Sequence, residues 1–124
     1  MIHNTAIIST KANISPNVEI GPYCIIEAGV SIDEGCELIS HVHLSGNTNI
    51  GKHNKFFSFA SIGSIPQDLK YSGENSQLII GNNNTFRENV TVNPGTENGG
   101  MLTKIDNNCL FMVGSHVAHD CQIS

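Results

Sequence analysis

Residues 14–38 read ISPNVEIGPYCIIEAGVSIDEGCEL, and an isoleucine or a leucine returns at every sixth position of this stretch. The same spacing continues over most of the chain, with two interruptions. A helix repeats at about 3.6 residues and a strand at two, so a six-residue period predicts short strand-and-turn units stacked as a parallel β-helix. The apolar residues on this period, here called anchors, are Ile8, Ile14, Ile20, Ile26, Ile32, Leu38, Leu44, Ile50, Phe56, Ile62, Ile80, Phe86, Val92, Ile105, Phe111, Val117 and Ile123.

A second position repeats two residues before the anchors and carries small or apolar side chains. Residues two apart on a strand face the same side, so both positions are predicted to point inward. Asn54 and Asn84 are the exceptions. Four cysteines fall in this position, where a thiol acts as a small hydrophobe, and we expect a reduced chain rather than a metal or redox site. The small or apolar residues are Ala6, Ala12, Val18, Cys24, Val30, Cys36, Val42, Ala60, Val90, Cys109 and Cys121.

Turns are predicted three residues after the anchors, where residues that tolerate a left-handed backbone recur. Proline occupies the position just before this one at Pro16, Pro22 and Pro94, where no strand hydrogen bond is lost. A period of six suits three short faces per coil, or 18 residues per turn of the solenoid. The tolerant residues are Asn17, Gly29, Gly35, Asn47, Asn83, Asn89, Gly95, Asn108 and Gly114.

Composition limits the possible classes of protein. The 124 residues fit one domain, predicted to span 1–124, with 39% hydrophobic and 14% charged residues and a formal net charge of −5. No run of Lys or Arg exists, so nucleic-acid binding is not expected. No apolar run approaches the length of a membrane span, and the first residues lack the pattern of a signal peptide. We therefore expect a cytoplasmic protein.

Two stretches break the period and are predicted to project from the stack as loops. They cover residues 64–75 and 96–102. Insertions in solenoids often line a binding face. The polar side chains of Gln67, Asp68 and Lys70 could therefore contribute to a site, although a solvated loop would carry the same residues.

The histidines are the candidates for proton transfer near neutral pH. The repeat places His116 and His119 outward on either side of Val117, and Asp120 follows directly. A neighbouring carboxylate can orient an imidazole and stabilise its protonated form. An exposed histidine pair beside a turn aspartate is the alternative interpretation.

His41 and His43 raise the possibility of a metal site, because alternate residues of a strand share one side. Zinc would need at least a third protein ligand, and the sequence does not supply one convincingly. We therefore predict no metal at these two histidines.

Several local strings resemble one family of hexapeptide-repeat acyltransferases, the acyl-carrier-protein–UDP-N-acetylglucosamine O-acyltransferases of lipid A synthesis. The loop string QDLKY and the string HVAHDC, in this order and spacing, are the most specific. The resemblance implies an all-β fold, a left-handed parallel β-helix. The general rule for parallel crossovers would instead favour a right-handed one. The matching strings are FASIG at 59–63, PQDLKY at 66–71, RENVTV at 87–92, PGT at 94–96, GGMLTK at 99–104 and SHVAHDC at 115–121.

The resemblance also implies a reaction, the transfer of a 3-hydroxyacyl chain from acyl carrier protein to the glucosamine 3-hydroxyl of UDP-N-acetylglucosamine. His119 matches the catalytic base of the family, and we infer that Asp120 orients its ring. The resemblance implies a homotrimer with active sites between neighbouring subunits, and neither a cofactor nor a metal is required.

Substrate-binding positions carry over from the same strings. Asp68, Lys70 and His116 match positions that contact the nucleotide sugar, and Gln67 lies beside Asp68. Asn93 stands where the family often has histidine, so this contact with the sugar is expected to differ.

Members of the family are about twice as long as this chain. The resemblance therefore leads us to expect further coils and a helical C-terminal part beyond residue 124. Two alternatives stay open at this point. One is a γ-type carbonic anhydrase on the same fold, with zinc held by histidines, and the other is a truncated β-helix without catalytic activity.

Overall fold

This computed structural model describes residues 1–64, 77–94 and 102–117, together with the backbone of 122–123. All regular structure within these residues is β-strand, and most strands contain only two residues. The strands are β1 (Ile7–Ile8), β2 (Asn13–Ile14), β3 (Glu19–Ile20), β4 (Ile25–Ile26), β5 (Val30–Ile32), β6 (Glu37–Leu38), β7 (His43–Leu44), β8 (Thr48–Ile50), β9 (Lys55–Phe56), β10 (Ser61–Ile62), β11 (Gln77–Ile80), β12 (Thr85–Phe86), β13 (Thr91–Val92), β14 (Leu102–Ile105), β15 (Leu110–Phe111), β16 (His116–Val117) and β17 (Gln122–Ile123).

The strands form three parallel sheets, and the chain visits them in turn. Sheet I contains β1, β4, β7, β10, β13 and β16, sheet II contains β2, β5, β8, β11, β14 and β17, and sheet III contains β3, β6, β9, β12 and β15. Register partners in the first coils are 18 residues apart, as in the pairs Ile7↔Ile25 and Ile14↔Ile32. The predicted coil of three faces and 18 residues is confirmed. The coils form the expected left-handed parallel β-helix.

The core is a column of side chains at the centre of the three sheets. Within a two-residue strand, the second residue is the anchor and points inward, whereas the first points outward. Phe56, Phe86 and Phe111 stack along this column with ring centroids 4.7 and 4.9 Å apart. Offset aromatic stacking at this distance adds to the free energy gained by removing the rings from water.

Three corners connect the sheets, here named the I–II, II–III and III–I corners after the sheets that they join. The predicted turn position has a left-handed backbone at Gly29, Gly35, Asn83, Asn89, Asn108 and Gly114. Asn17 and Asn47 do not adopt this conformation, and Gly46 adopts it in place of Asn47. The same position is left-handed in four residues not predicted to tolerate it, Tyr23, His41, His53 and Phe59.

The two predicted loops lie largely outside the described residues. Leu102, which we assigned to the second loop, instead begins strand β14 and pairs with Gln77 of β11. The alternation of inward and outward residues therefore resumes one residue earlier than the sequence indicated. In the described part of the chain, no helix is long and apolar enough to cross a membrane.

Candidate functional site

The described residues that flank the predicted site segments lie at the I–II corner on three successive coils. Ile62, Val92 and Val117 are register partners at the ends of β10, β13 and β16. The chain re-enters sheet II at Gln77, which pairs with Leu102. The segments 65–76, 95–101 and 118–121 thus begin and end at the same corner, one coil after another. This arrangement brings residues as distant in sequence as Ser64 and Val117 to one corner, because coils stack in order.

Five of the predicted site residues belong to these segments. Gln67, Asp68, Lys70, His119 and Asp120 all lie outside the described residues, and their roles stay predictions. The described residues that flank them are Ser64, Asn93 and Val117, which lie on consecutive coils of the I–II corner.

His116 is the first residue of β16 and points outward from sheet I, as predicted. Its ring is exposed, and its Nδ1 lies 2.5 Å from Oγ1 of Thr91, the register partner on β13. Nε2 is the ring nitrogen that this contact does not engage. An imidazole held in this way can donate or accept one further hydrogen bond.

Asn93 follows β13 at the I–II corner and is only 4% exposed. Its backbone N–H donates to the Val117 carbonyl at 3.0 Å, which fixes it one coil below the end of β16. No described residue is hydrogen-bonded to its carboxamide. A carboxamide can both donate and accept, so a buried one at this corner suits a ligand that carries hydroxyl groups.

Sequence reasoning missed a pair of hydroxyls at the same corner. The side-chain oxygens of Ser61 and Ser64 lie 2.7 Å apart, and Ser61 is in register with Thr91. Gly63 between them has a φ of +85°, and a Cβ placed there would lie 2.0 Å from the Ser45 carbonyl oxygen. The corner therefore needs glycine at this position. A serine outside the periodic pattern gives no signal of such a contact, because the partners are set by the path of the backbone.

His41 and His43 are not placed together as a metal site would require. His43 points outward from β7 and forms a hydrogen-bonded pair with Glu27, whereas His41 lies at the III–I corner between the rings of Tyr23 and Phe59. In the described part of the chain, no three His, Cys, Asp or Glu side chains are grouped to bind an ion.

A shallow concavity lies on the outer face of sheet II. Its lining includes the polar side chains of Asn13, Ser31 and Asn49 and the apolar side chain of Ile79. Neither of the two predicted site residues that the structure describes, Asn93 and His116, lines this concavity. It therefore does not define the site.

Comparison with known proteins places the chain beside the enzymes that its motifs resemble. Over 121 residues it is 57% identical to an acyl-[acyl-carrier-protein]–UDP-N-acetylglucosamine O-acyltransferase of Rickettsia canadensis (strain McKiel), and the match covers 98% of the chain and 46% of that protein. The chain thus spans about half the length of the curated relatives that it matches. No family model matches the chain.

Solved structures give the same result. A crystal structure of a UDP-N-acetylglucosamine acyltransferase matches with a TM-score of 0.98 and 52% identity, and it covers 99% of the chain and 48% of that protein. The UDP-N-acetylglucosamine O-acyltransferase of Moraxella catarrhalis RH4 matches with a TM-score of 0.96 and 48% identity, over 98% of the chain and 48% of that structure. The resemblance stated from the sequence is confirmed, and these matches favour it over a zinc anhydrase.

Proposed function

We propose that this chain takes part in the reaction of the acyl-carrier-protein–UDP-N-acetylglucosamine O-acyltransferases. It resembles these enzymes along almost its whole length. A 3-hydroxyacyl chain passes from acyl carrier protein to the glucosamine 3-hydroxyl of UDP-N-acetylglucosamine. The observation that carries this proposal is the 57% identity over 98% of the chain to a protein that bears this name.

The proposed chemistry is general-base catalysis by His119. A sugar hydroxyl is a weak nucleophile, so its proton must leave as its oxygen attacks the thioester carbonyl carbon. The new C–O bond forms while the C–S bond breaks, and the imidazolium returns the proton to the departing thiol of the carrier protein. Asp120 would hold the ring and stabilise its charged form.

The proposed sugar-nucleotide site combines the I–II corner with the segments that leave it. Lys70 suits a phosphate as a compact charge, and Gln67 and Asp68 supply polar groups beside it. His116 offers Nε2, and the buried carboxamide of Asn93 offers a donor and an acceptor on the coil below. The in-register backbones of β13 and β16 support this convergence, because they hold Asn93 and His116 on adjacent coils.

We also propose that the protein works as a homotrimer in the cytoplasm, as the resemblance implies. The exposed side chains of Ile7 and Ile25, in register on the outer face of sheet I, offer apolar surface for contacts between subunits. Cys24, Cys36 and Cys109 are free thiols, which suits a reducing compartment.

The test of His119 is acyl transfer from 3-hydroxyacyl carrier protein to UDP-N-acetylglucosamine. It is measured with the chain alone and with the chain fused to the remaining half of the Rickettsia canadensis relative, because the match covers 46% of that protein. We expect His119→Ala to lower the rate by about 10²- to 10⁴-fold, the usual contribution of a general base.

The matched control is His53→Asn, which removes an exposed histidine at the II–III corner and keeps a residue that tolerates its φ of +57°. This variant should keep the full rate. A fusion protein whose activity survives His119→Ala would contradict the role of His119. No transfer by either unchanged protein would contradict the proposed function.

A further inference from the structure

The hydroxyl of Thr91 is hydrogen-bonded to the ring of His116, which lies on the next coil. The two residues are register partners on β13 and β16, and both point outward from sheet I. Neighbouring strands lie about 4.8 Å apart, so side chains at such positions stand next to each other. The distance of 2.5 Å between Oγ1 and Nδ1 is that of a short hydrogen bond.

Thr91 has a second polar neighbour in sheet I, and no hydrogen bond joins the two side chains. Ser61 is the register partner of Thr91 on β10, but its hydroxyl is bonded to Oγ of Ser64. Among the described residues, His116 is therefore the sole partner of the Thr91 hydroxyl. Threonine is β-branched, so few rotamers are open to it, and its hydroxyl is held in place more firmly than a serine hydroxyl would be.

Occupying Nδ1 has two consequences for the imidazole. It restrains rotation of the ring about its side-chain bonds, and it leaves Nε2 as the nitrogen that a ligand meets. It also couples the two nitrogens, because a neutral imidazole carries a proton on only one of them. The Thr91 hydroxyl can either donate to Nδ1 or accept from it, so the role of Nε2 in the neutral ring is the opposite of the role that Nδ1 takes in this hydrogen bond.

We propose that Thr91 is a positioning residue for His116, whose ring it holds so that Nε2 is presented to the sugar nucleotide. This inference rests on the proposed function only for the identity of the ligand. The interaction between Thr91 and the ring exists without it. Thr91 itself need not touch the substrate.

The first experiment records ring nitrogen resonances of His116 by 15N NMR at a pH where the imidazole is neutral. A His116→Gln variant identifies the resonances. Thr91→Val removes the hydroxyl but keeps the branched shape, and it should shift the ratio of the two tautomers. Thr91→Ser keeps a hydroxyl and should restore the original ratio. An unchanged spectrum in Thr91→Val would overturn the proposal, since a purely structural threonine would leave the ring nitrogens as they are.

The second experiment measures binding of UDP-N-acetylglucosamine by calorimetry, with the fusion protein described above. Loss of one hydrogen bond should weaken binding by about 2- to 10-fold in Thr91→Val. In the His116→Gln background the same change should have no further effect, because the group that Thr91 positions is already gone. An equal loss in both backgrounds would contradict a role that acts through His116.

Thr85→Val is the matched control. Thr85 points outward at the corresponding position of β12 in sheet III, where its register partners are Lys55 and Leu110. It should change neither the His116 spectrum nor binding. Failure of the unchanged protein to bind would overturn the proposed function and the ligand named here. A spectrum that responds to Thr91→Val would still establish the interaction between Thr91 and the ring.

Discussion

Two asparagines occupy inward positions at the II–III corner that the repeat otherwise gives to small apolar side chains. Asn54 and Asn84 are each 1% exposed, yet each carboxamide both donates and accepts hydrogen bonds. Asn54 donates to the carbonyls of Gly51 and Gly81, and its Oδ1 accepts the backbone N–H of Asn84 at 2.8 Å. A buried amide without partners would be costly, so the hydrogen bonds explain why asparagine is tolerated here.

Cys36 occupies the same position one coil earlier and uses its thiol in a similar way. Its Sγ donates to the Gly51 carbonyl at 3.0 Å. Burial raises the pKa of the Cys36 thiol and also that of the Cys24 thiol, because both are removed from water. The sequence predicted inward thiols, and Cys24 and Cys36 confirm this. Cys109 is only half-buried, and Cys121 lies outside the described residues.

Alkylation of the folded protein should distinguish these thiols. Iodoacetamide at about pH 8 reacts with thiolate, so Cys24 and Cys36 should be protected by burial and by their raised pKa, whereas Cys109 should be labelled first. Peptide mass mapping over time measures each site separately. In urea all of them should react at similar rates, and labelling of Cys24 as fast as Cys109 in the native protein would contradict the prediction.

Turns with a left-handed backbone recur at the corners and bring the side chains of successive coils into contact. At the III–I corner, Tyr23, His41 and Phe59 adopt this conformation in successive coils. The exposed ring of His41 is tilted by 33° against that of Tyr23 and stacks on that of Phe59, with centroids 5.2 and 5.0 Å apart. A left-handed backbone costs about 1–2 kcal/mol for such residues, and each aromatic contact returns about 0.5–1.5 kcal/mol. Ring contacts between coils thus offset the free-energy cost of the left-handed backbone. Residue preferences alone would have predicted these turns to be unfavourable.

Two glycines with left-handed backbones should respond very differently to alanine. Gly114 has a φ of +75° and no atom within 4 Å of an added Cβ, so Gly114→Ala should cost only the backbone term, about 1–2 kcal/mol. Gly63 has a φ of +85°, and its added Cβ would meet the Ser45 carbonyl oxygen at 2.0 Å. Urea unfolding should show a clearly larger loss for Gly63→Ala.

Gly63→Ala should also weaken binding of UDP-N-acetylglucosamine, because the clash displaces the I–II corner. Gly114→Ala provides the comparison, since it lies at the III–I corner. Equal losses of stability in the two variants would show that the close approach of Ser45 to Gly63 is not important for the fold.

At the scale of the whole molecule, each coil contacts only the coils next to it. The three sheets run the length of the described chain, and one cluster of buried apolar side chains follows them, so the core is continuous although each strand is very short. A solenoid of this kind places its functional groups by stacking order. The I–II corner brings Ser64, Asn93 and Val117 together from successive coils in this way.

A homotrimer can be tested directly by sedimentation equilibrium. The proposed assembly predicts three times the mass of one chain, for the chain alone or for its fusion to the second half of the relative. The measurement should cover the protein concentrations used for the acyl-transfer assay. A mass of one chain at those concentrations, in a preparation that transfers acyl groups, would contradict the trimer.

The sequence by itself determined the period, the inward positions, the turn position and the three faces of each coil. These are local properties, since an apolar residue at every sixth position can be buried in only a few ways. The motif strings also indicated the family, and with it the hand of the helix, which no local pattern specifies. The placement of Gln67, Asp68, Lys70, His119 and Asp120 stays a prediction.

Only the tertiary structure decided which side chains meet between coils. Thr91 and His116 are 25 residues apart, not the 18 of an uninterrupted coil, because a period-breaking segment lies between them. The contacts between His43 and Glu27 and between Ser61 and Ser64 depend in the same way on the path of the backbone. A repeat specifies what each coil buries. Its outward contacts depend on how the coils, with their insertions, are aligned on one another.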